Sequence, residues 1–323
     1  MEFLPIISND GFLHLEDLPH NCIFNKVVTG CGGTTVVLRN SEDYVIAVPT
    51  TELIINKTGR IDSGLSTLTF DGHKQSIFGL FGKFDDARKD LVSYLSSSGT
   101  KKIMCTYDKL PRLIEYLNPA EYRLLIDEYH SLLKAYSYRQ RAIDGVLDNF
   151  RNFRSFCFMS ATPILPSFKP QCLEDIDEIQ ADWGEEDKDT ILKVELQQTN
   201  KPYTLAANII KAYKRDGFIT SKEGIRSYEA FFFINSVTDI AAILKHCNLS
   251  NEEVRIICAD NEGNREKLIG YDISNSRSPN KMFNFITSKS FEGADYYSDT
   301  GLCFVISTPS NPHTLASIDT DIP

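Results

Sequence analysis

The residues best suited to chemistry lie in Leu124-Leu125-Ile126-Asp127-Glu128-Tyr129-His130, where an apolar run ends in two adjacent carboxylates and a histidine. Neighbouring ionised carboxylates repel, so a pair at the mouth of a buried strand points to a use. Asp-Glu pairs also occur on solvated turns, and the company this pair keeps decides between the two. Phosphate chemistry needs one carboxylate to hold a magnesium ion through water and another to polarise the water that attacks a γ-phosphate. Asp127 suits the first role and Glu128 the second. Upstream, Asn21-Cys22-Ile23-Phe24-Asn25-Lys26-Val27-Val28 reads as a short strand running into Thr29-Gly30-Cys31-Gly32-Gly33-Thr34-Thr35. Glycines there let backbone N–H groups approach an anion, and a helix N-terminus adds favourable partial charge. Thr34 is the natural magnesium-side hydroxyl, with Thr35 a neighbour that can substitute. A common phosphate loop ends Gly-Lys-Ser/Thr, and Gly33 stands where the lysine belongs. Lys26 is the candidate replacement, its long side chain folding back over the loop; its other reading is an ordinary exposed lysine at a strand edge.

These residues need a scaffold, and the sequence supplies alternating strands and helices. Residues 44–48, 76–81, 102–106 and 154–159 read as apolar strands, and residues 85–95 and 130–149 have helical spacing. The last of those strands delivers Ser160 and Thr162. Such alternation means an α/β fold with a mainly parallel sheet flanked by helices and ligands at the strands' carboxyl ends. An acidic stretch, residues 172–193 around Trp183, reads as a solvated linker between a first domain (1–171) and a second (194–323). In the second, residues 229–236 are a strand too apolar for an exposed edge, residues 254–259 read as another buried strand and 281–288 and 302–306 as further strands, and residues 205–213 and 238–247 read as helices.

The chain's 323 residues fit two domains, and 42 % hydrophobic with 24 % charged residues is a globular balance. No apolar run approaches the ~20 residues needed to span a bilayer. The start, Met1-Glu2-Phe3-Leu4-Pro5, lacks a basic region before an apolar core, so no secretory signal is read. Eight scattered cysteines without a Cys-x-x-Cys pair suggest reduced thiols in the cytoplasm rather than disulfides or zinc. A net charge of −10 argues against a mainly electrostatic nucleic-acid binder, although a local groove and backbone amides still permit one.

Taken in order, these motifs resemble the superfamily 2 helicases and translocases of DEAD/DEAH-box type. Gly30-Cys31-Gly32-Gly33-Thr34 resembles motif I, Val48-Pro49-Thr50-Thr51-Glu52-Leu53 motif Ia, and Thr106-Tyr107-Asp108-Lys109-Leu110 motif Ib. Asp127-Glu128-Tyr129-His130 is similar to the DExH form of motif II, and Ser160-Ala161-Thr162 to motif III. Phe232-Phe233-Ile234-Asn235-Ser236 looks like motif IV, and Thr287-Ser288 with Glu292-Gly293-Ala294-Asp295 like motif V. The resemblance implies two tandem RecA-like domains with a nucleotide cleft between them, ATP and Mg2+ as cofactors, and a nucleic-acid strand as partner. It implies that Gly293 and Asp295 face the nucleotide and that His130 with Ser160 and Thr162 couples the γ-phosphate to strand grip. The milder readings are a helix cap for His130 and a satisfied strand end for the hydroxyl pair. Thr50, Thr51, Thr106 and Tyr107 would contact the strand, through phosphates rather than bases. DNA is preferred over RNA, because DExH with Thr-Tyr-x-x-Leu resembles the DNA-handling branch, and the build would suit a phage or mobile element.

Two departures qualify the resemblance. The motif I lysine is absent, and no arginine follows Arg277, so the arginine helix of motif VI is absent too. The sequence reads as a fragment cut before motif VI, or as a degenerate protein that lost both cations. Either way weak ATP hydrolysis is expected, since arginine fingers supply roughly 10³–10⁵ in rate. The alternative to a strand-dependent ATPase is a catalytically silent helicase-fold module, a nucleotide-sensing or structural part of a larger assembly.

Overall fold

Strands rich in Val, Ile, Leu and Phe set the layout, because their side chains are buried on both faces. The computed structural model describes residues 2–184, 195–222, 224–291, 294, 296–311 and 314. The chain divides into two compact units, Met1–Leu192 and Lys193–Pro323.

The first unit carries nine strands: β1 (Glu2–Ile6), β2 (Cys22–Asn25), β3 (Tyr44–Val48), β4 (Gly64–Phe70), β5 (His73–Leu80), β6 (Lys102–Thr106), β7 (Arg123–Asp127), β8 (Ser155–Ser160) and β9 (Asp177–Trp183). They form one sheet in the order β1-β9-β2-β8-β7-β3-β6-β5-β4. Every pairing is parallel except that of the β4–β5 hairpin. Alternate residues feed two cores. Phe24, Ile46, Leu125 and Met159 pack with α1 (Gly33–Arg39) and α2 (Thr51–Thr58) on one face. Ile23, Val45, Leu124 and Phe158 pack on the other with α3 (Phe84–Ser96), α4 (Leu110–Leu113) and α5 (Ser131–Leu147). Each such side chain, fully buried, contributes roughly 1.5–3 kcal/mol, so two complete cores hold the strand ends firmly.

The second unit has a four-stranded parallel sheet, in which β12 (Ala230–Phe233), β13 (Val254–Ile257), β14 (Phe283–Ile286) and β15 (Leu302–Val305) take the order β13-β14-β12-β15. The Phe232 ring stacks with Phe285 and Phe304, at 5.3 and 5.1 Å between centroids. A short antiparallel pair, β10 (Ile219–Thr220) and β11 (Arg226–Ser227), and helices α6 (Pro202–Asp216), α7 (Val237–His246) and α8 (Glu262–Lys267) complete it.

Three elements of the first unit depart from the sequence expectation, and in the second β10, β11 and α8 form where no element was read. Residues 177–183, assigned to a solvated acidic linker, form β9 inside the sheet between β1 and β2, with Trp183 buried. Its acidic residues sit where the strand is less covered: Asp177 at its start and Asp182 are exposed, while Ala181 and Trp183 are buried. The polar N-terminal stretch supplies β1, and β4 forms where no strand was read.

Candidate functional site

The sheet order places β2, β8, β7, β3 and β6 side by side. Because all five are parallel, their carboxyl ends deliver Lys26, Ser160, Asp127, Pro49 and Thr106 to one edge.

Lys26 and Glu128 follow strands on either side of β8, about 10 Å apart by strand spacing, and two long side chains span that gap. Lys26 Nζ donates to Glu128 Oε1 at 2.9 Å, with the lysine side chain 8 % and the glutamate 17 % exposed. Burial pulls the ammonium toward neutrality, but the Glu128 and Asp127 carboxylates outweigh it and hold its pKa above the ordinary lysine value. Lys26 is therefore not the exposed edge lysine of the milder reading. Its backbone is fixed as well: its N–H donates to Ser160 O (2.9 Å) and its carbonyl accepts from Trp183 Nε1 (2.8 Å).

Two residues at this edge take left-handed backbone angles without being glycine: Val27 (φ 63°), next to Lys26, and Glu128 (φ 50°). A β-branched residue in that region is costly, on the order of 1–3 kcal/mol, and is held here by a tight turn from Val28 N–H to Lys26 O (2.7 Å) and by Asn25 Oδ1 accepting from Val27 N–H. Glu128 is held by the Tyr107 hydroxyl, which donates to Asp127 O at 2.6 Å and lies 3.2 Å from Glu128 O.

Asp127 is buried beneath the pair. Its Oδ2 accepts from Thr34 Oγ1 at 2.6 Å and its Oδ1 from Glu128 N–H at 3.0 Å. Burial and the neighbouring Glu128 charge push its carboxyl pKa up, against the opposing pull of Lys26 and the Thr34 bond. A buried carboxylate and a hydroxyl are hard oxygen donors, the set a magnesium ion takes. Thr34 and Asp127 fit that ion, and a cation there would relieve the charge that burial penalises.

The glycine loop wraps this centre. Gly30 and Gly32 have positive φ (69° and 80°), open to glycine without strain. At Gly33 a Cβ would lie 2.6 Å from Met159 Sδ, so a side chain at the lysine position requires the tip of Met159 to move aside. Cys31 turns its thiol into the core, where burial raises its pKa, so the loop offers only that residue's backbone. Thr35 lies half-buried in the first turn of α1.

His130 Nδ1 lies 2.8 Å from Ser160 Oγ, 3.2 Å from Thr162 Oγ1 and 3.4 Å from Glu128 Oε2, and Thr162 N–H donates to Ser160 Oγ at 2.9 Å. The histidine and the hydroxyl pair form one buried network touching Glu128, which is more than a helix cap.

Two expected strand contacts are corrected. Tyr107 is buried with its hydroxyl engaged under Asp127, and Thr106 is buried with its side chain bonded to Asp108. Thr50 and Thr51 are half-buried at the start of α2, and Thr50 Oγ1 has no hydrogen-bond partner among the described residues. Gly293 and Asp295 lie outside the described residues. Sequence reasoning missed Trp183, whose strand was hidden by acidic neighbours, and Phe12. The half-exposed Phe12 ring lies against the loop: a Cβ on Gly32 would sit 3.3 Å from it, and Leu13 N–H donates to Cys31 O.

No protein-family model and no curated protein matches the sequence. Among solved structures the chain is similar to Mss116p, lacking its N-terminal extension and C-tail and bound to ssRNA and AMP-PNP. The match has a TM-score of 0.54 and 13 % identity, and covers 94 % of this chain and 63 % of that one. An S. cerevisiae Dbp5 variant bound to Nup159, a Gle1 variant, IP6 and ADP matches over 84 % of this chain and 68 % of its own, at 12 % identity and a TM-score of 0.41. The Mss116p likeness shows the fold alone: a large, mainly parallel sheet flanked by helices. This chain spans less than two thirds of the Mss116p structure. No helix among the described residues is long and apolar enough to cross a membrane.

Proposed function

We propose that this chain is the nucleotide-hydrolysing core of a nucleic-acid-dependent ATPase of the helicase type. The observation that carries it is the convergence of Lys26, Thr34, Asp127 and Glu128 beside a glycine loop, at the carboxyl-end edge of the parallel sheet. Lys26 does the work of the missing loop lysine, its ammonium leaving Glu128 for phosphate oxygens when nucleotide arrives. Glu128, freed of that partner, accepts a proton from the attacking water at its carboxylate. Thr34 and Asp127 would hold a magnesium ion, which would supply neutralisation of charge on the phosphates. His130, 3.4 Å from Glu128, orients that carboxylate and links it to Ser160 and Thr162. Phe12 offers an apolar face to the base.

The strand partner is approached from the turn at Thr50 and Thr51. The preference for DNA finds no support, and RNA is the first strand to test, because the Mss116p structure holds ssRNA. Cytoplasmic placement and a mobile-element source stay expectations of the sequence alone.

The test is magnesium-dependent ATP hydrolysis with single-stranded RNA or DNA, comparing wild type with Glu128→Gln. The expected result is strand-stimulated turnover that Glu128→Gln abolishes while ATP binding persists. Binding without turnover in wild type, with either strand, would replace this function with the silent, nucleotide-sensing module.

A further inference from the structure

Helix α5 begins one residue after His130, and its helical geometry is interrupted at Arg139 (φ −130°, ψ 26°). From that break the guanidinium reaches two turns at once. Nη1 donates to Pro49 O at 2.6 Å, and Nη2 donates to Asp108 Oδ1 at 3.3 Å. Pro49 precedes Thr50, the N-cap of α2, and Asp108 sits in the 3₁₀ turn Tyr107–Lys109 after β6. The strands that feed these turns, β3 and β6, are neighbours in the sheet, so the turns emerge side by side.

Asp108 is more than a rim carboxylate. Burial would raise its pKa, yet bonds from Lys109 and Thr106 and the nearby Lys109 and Arg139 charges bring it below the ordinary aspartate value. An isolated surface ion pair is worth little, but here the same guanidinium also satisfies a backbone carbonyl. A planar fork serves two acceptors in fixed directions, whereas a lysine ammonium on a flexible stem does not reproduce that geometry.

We propose that Arg139 is a positioning residue for strand binding: it clamps the Pro49 and Asp108 turns together and ties both to the helix that starts beside the Asp127-to-His130 motif. The inference rests on the strand-dependent ATPase proposed above. It goes beyond it by assigning control of strand grip to a residue on α5, outside every motif read from the sequence.

The experiment compares wild type, Arg139→Ala and Arg139→Lys. Fluorescein-labelled single-stranded RNA is titrated in the presence of a non-hydrolysable ATP analogue, and nucleotide binding is measured separately. Arg139→Ala is expected to raise the RNA half-saturation concentration about tenfold, the size of one lost charge-assisted hydrogen bond. Nucleotide half-saturation should move less than about twofold, and Arg139→Lys should fail to restore RNA binding. Hydrogen exchange gives a readout independent of any strand: in Arg139→Ala, amides at residues 50–52 and 106–110 should exchange faster together while those of β7 and β8 keep their protection. Unchanged RNA affinity in Arg139→Ala, full rescue by lysine, or faster exchange at one turn alone would overturn the proposal. A wild-type chain that binds no strand would instead refute the proposed function and strand control with it, and the exchange data would still decide whether Arg139 clamps the turns.

Discussion

Lys26→Met removes one ammonium and keeps a long, apolar stem in its place. The ammonium lies 2.9 Å from Glu128 Oε1. At an effective dielectric of about 20, attraction at that separation is about 6 kcal/mol, and desolvation of the two groups offsets much of it. Removing one partner of a buried pair costs about 3–5 kcal/mol, because the other charge stays behind. Glu128 keeps some solvent contact, so the lower end applies, about 3 kcal/mol of folding stability. The nucleotide loses a charge-assisted bond worth roughly 1.5–3 kcal/mol, which lowers ATP affinity about ten- to a hundredfold. The assay is built into the chain: Trp183 is its single tryptophan and its Nε1 donates to Lys26 O, so its emission should report nucleotide arriving at Lys26. A titration of ATP with magnesium, followed by Trp183 emission and checked by equilibrium dialysis, measures the change directly. Lys26→Met binding ATP as wild type does would refute the substitution of Lys26 for the loop lysine.

Other outcomes follow from single bonds. Trp183→Phe removes the donor to Lys26 O and should cost about 1 kcal/mol of stability and weaken ATP binding several-fold; unchanged binding in a urea-checked variant would show that β9 does not support the site. Tyr107→Phe removes the hydroxyl beneath the left-handed Glu128, and should lower turnover while strand affinity stays constant. The reverse pattern would return Tyr107 to the strand-contact role expected from the sequence. Lys102, on the opposite edge of the sheet, is buried, with its Nζ bonded to Asn40 Oδ1 and Glu42 O, and burial lowers its pKa to about 7. Between that value and the ordinary lysine value the unfolded chain binds more protons, so this residue makes stability rise with pH from about 7 toward 10. Urea midpoints at pH 7 and 9 should show wild type gaining about 2 kcal/mol more than Lys102→Met; equal gains would refute the assignment.

Much of the fold was legible because both-face burial writes itself as apolar runs. The run 124–126 lies in β7 and the run 156–159 in β8, and the hydroxyl and carboxylate residues that follow them stand at the strand ends. Legibility failed where acidic residues lie within a strand. Residues 177–183 carry Asp177, Glu178 and Asp182 beside the buried Ala181 and Trp183, so composition pointed to a linker. The convergence of Lys26 and Glu128 was also only partly readable. Sequence suggested that Lys26 folds over the loop, but its partner depends on β8 lying between β2 and β7, a fact of topology. Tyr107 was misplaced for the opposite reason: a polar tip on an aromatic ring suits a strand contact and a buried hydrogen bond equally well, and only packing separates them. Arg139 carried no signal at all, since a lone arginine on an amphipathic helix reads as a solvated face.

The measurement that bears most directly on the central claim is the initial rate of magnesium-dependent ATP hydrolysis by the wild-type chain, with and without saturating single-stranded RNA. A rate that RNA raises at least several-fold and that Glu128→Gln reduces to background in both conditions is expected. A rate indistinguishable from that of Glu128→Gln, with or without strand, would contradict it and leave a fold that binds nucleotide without using it.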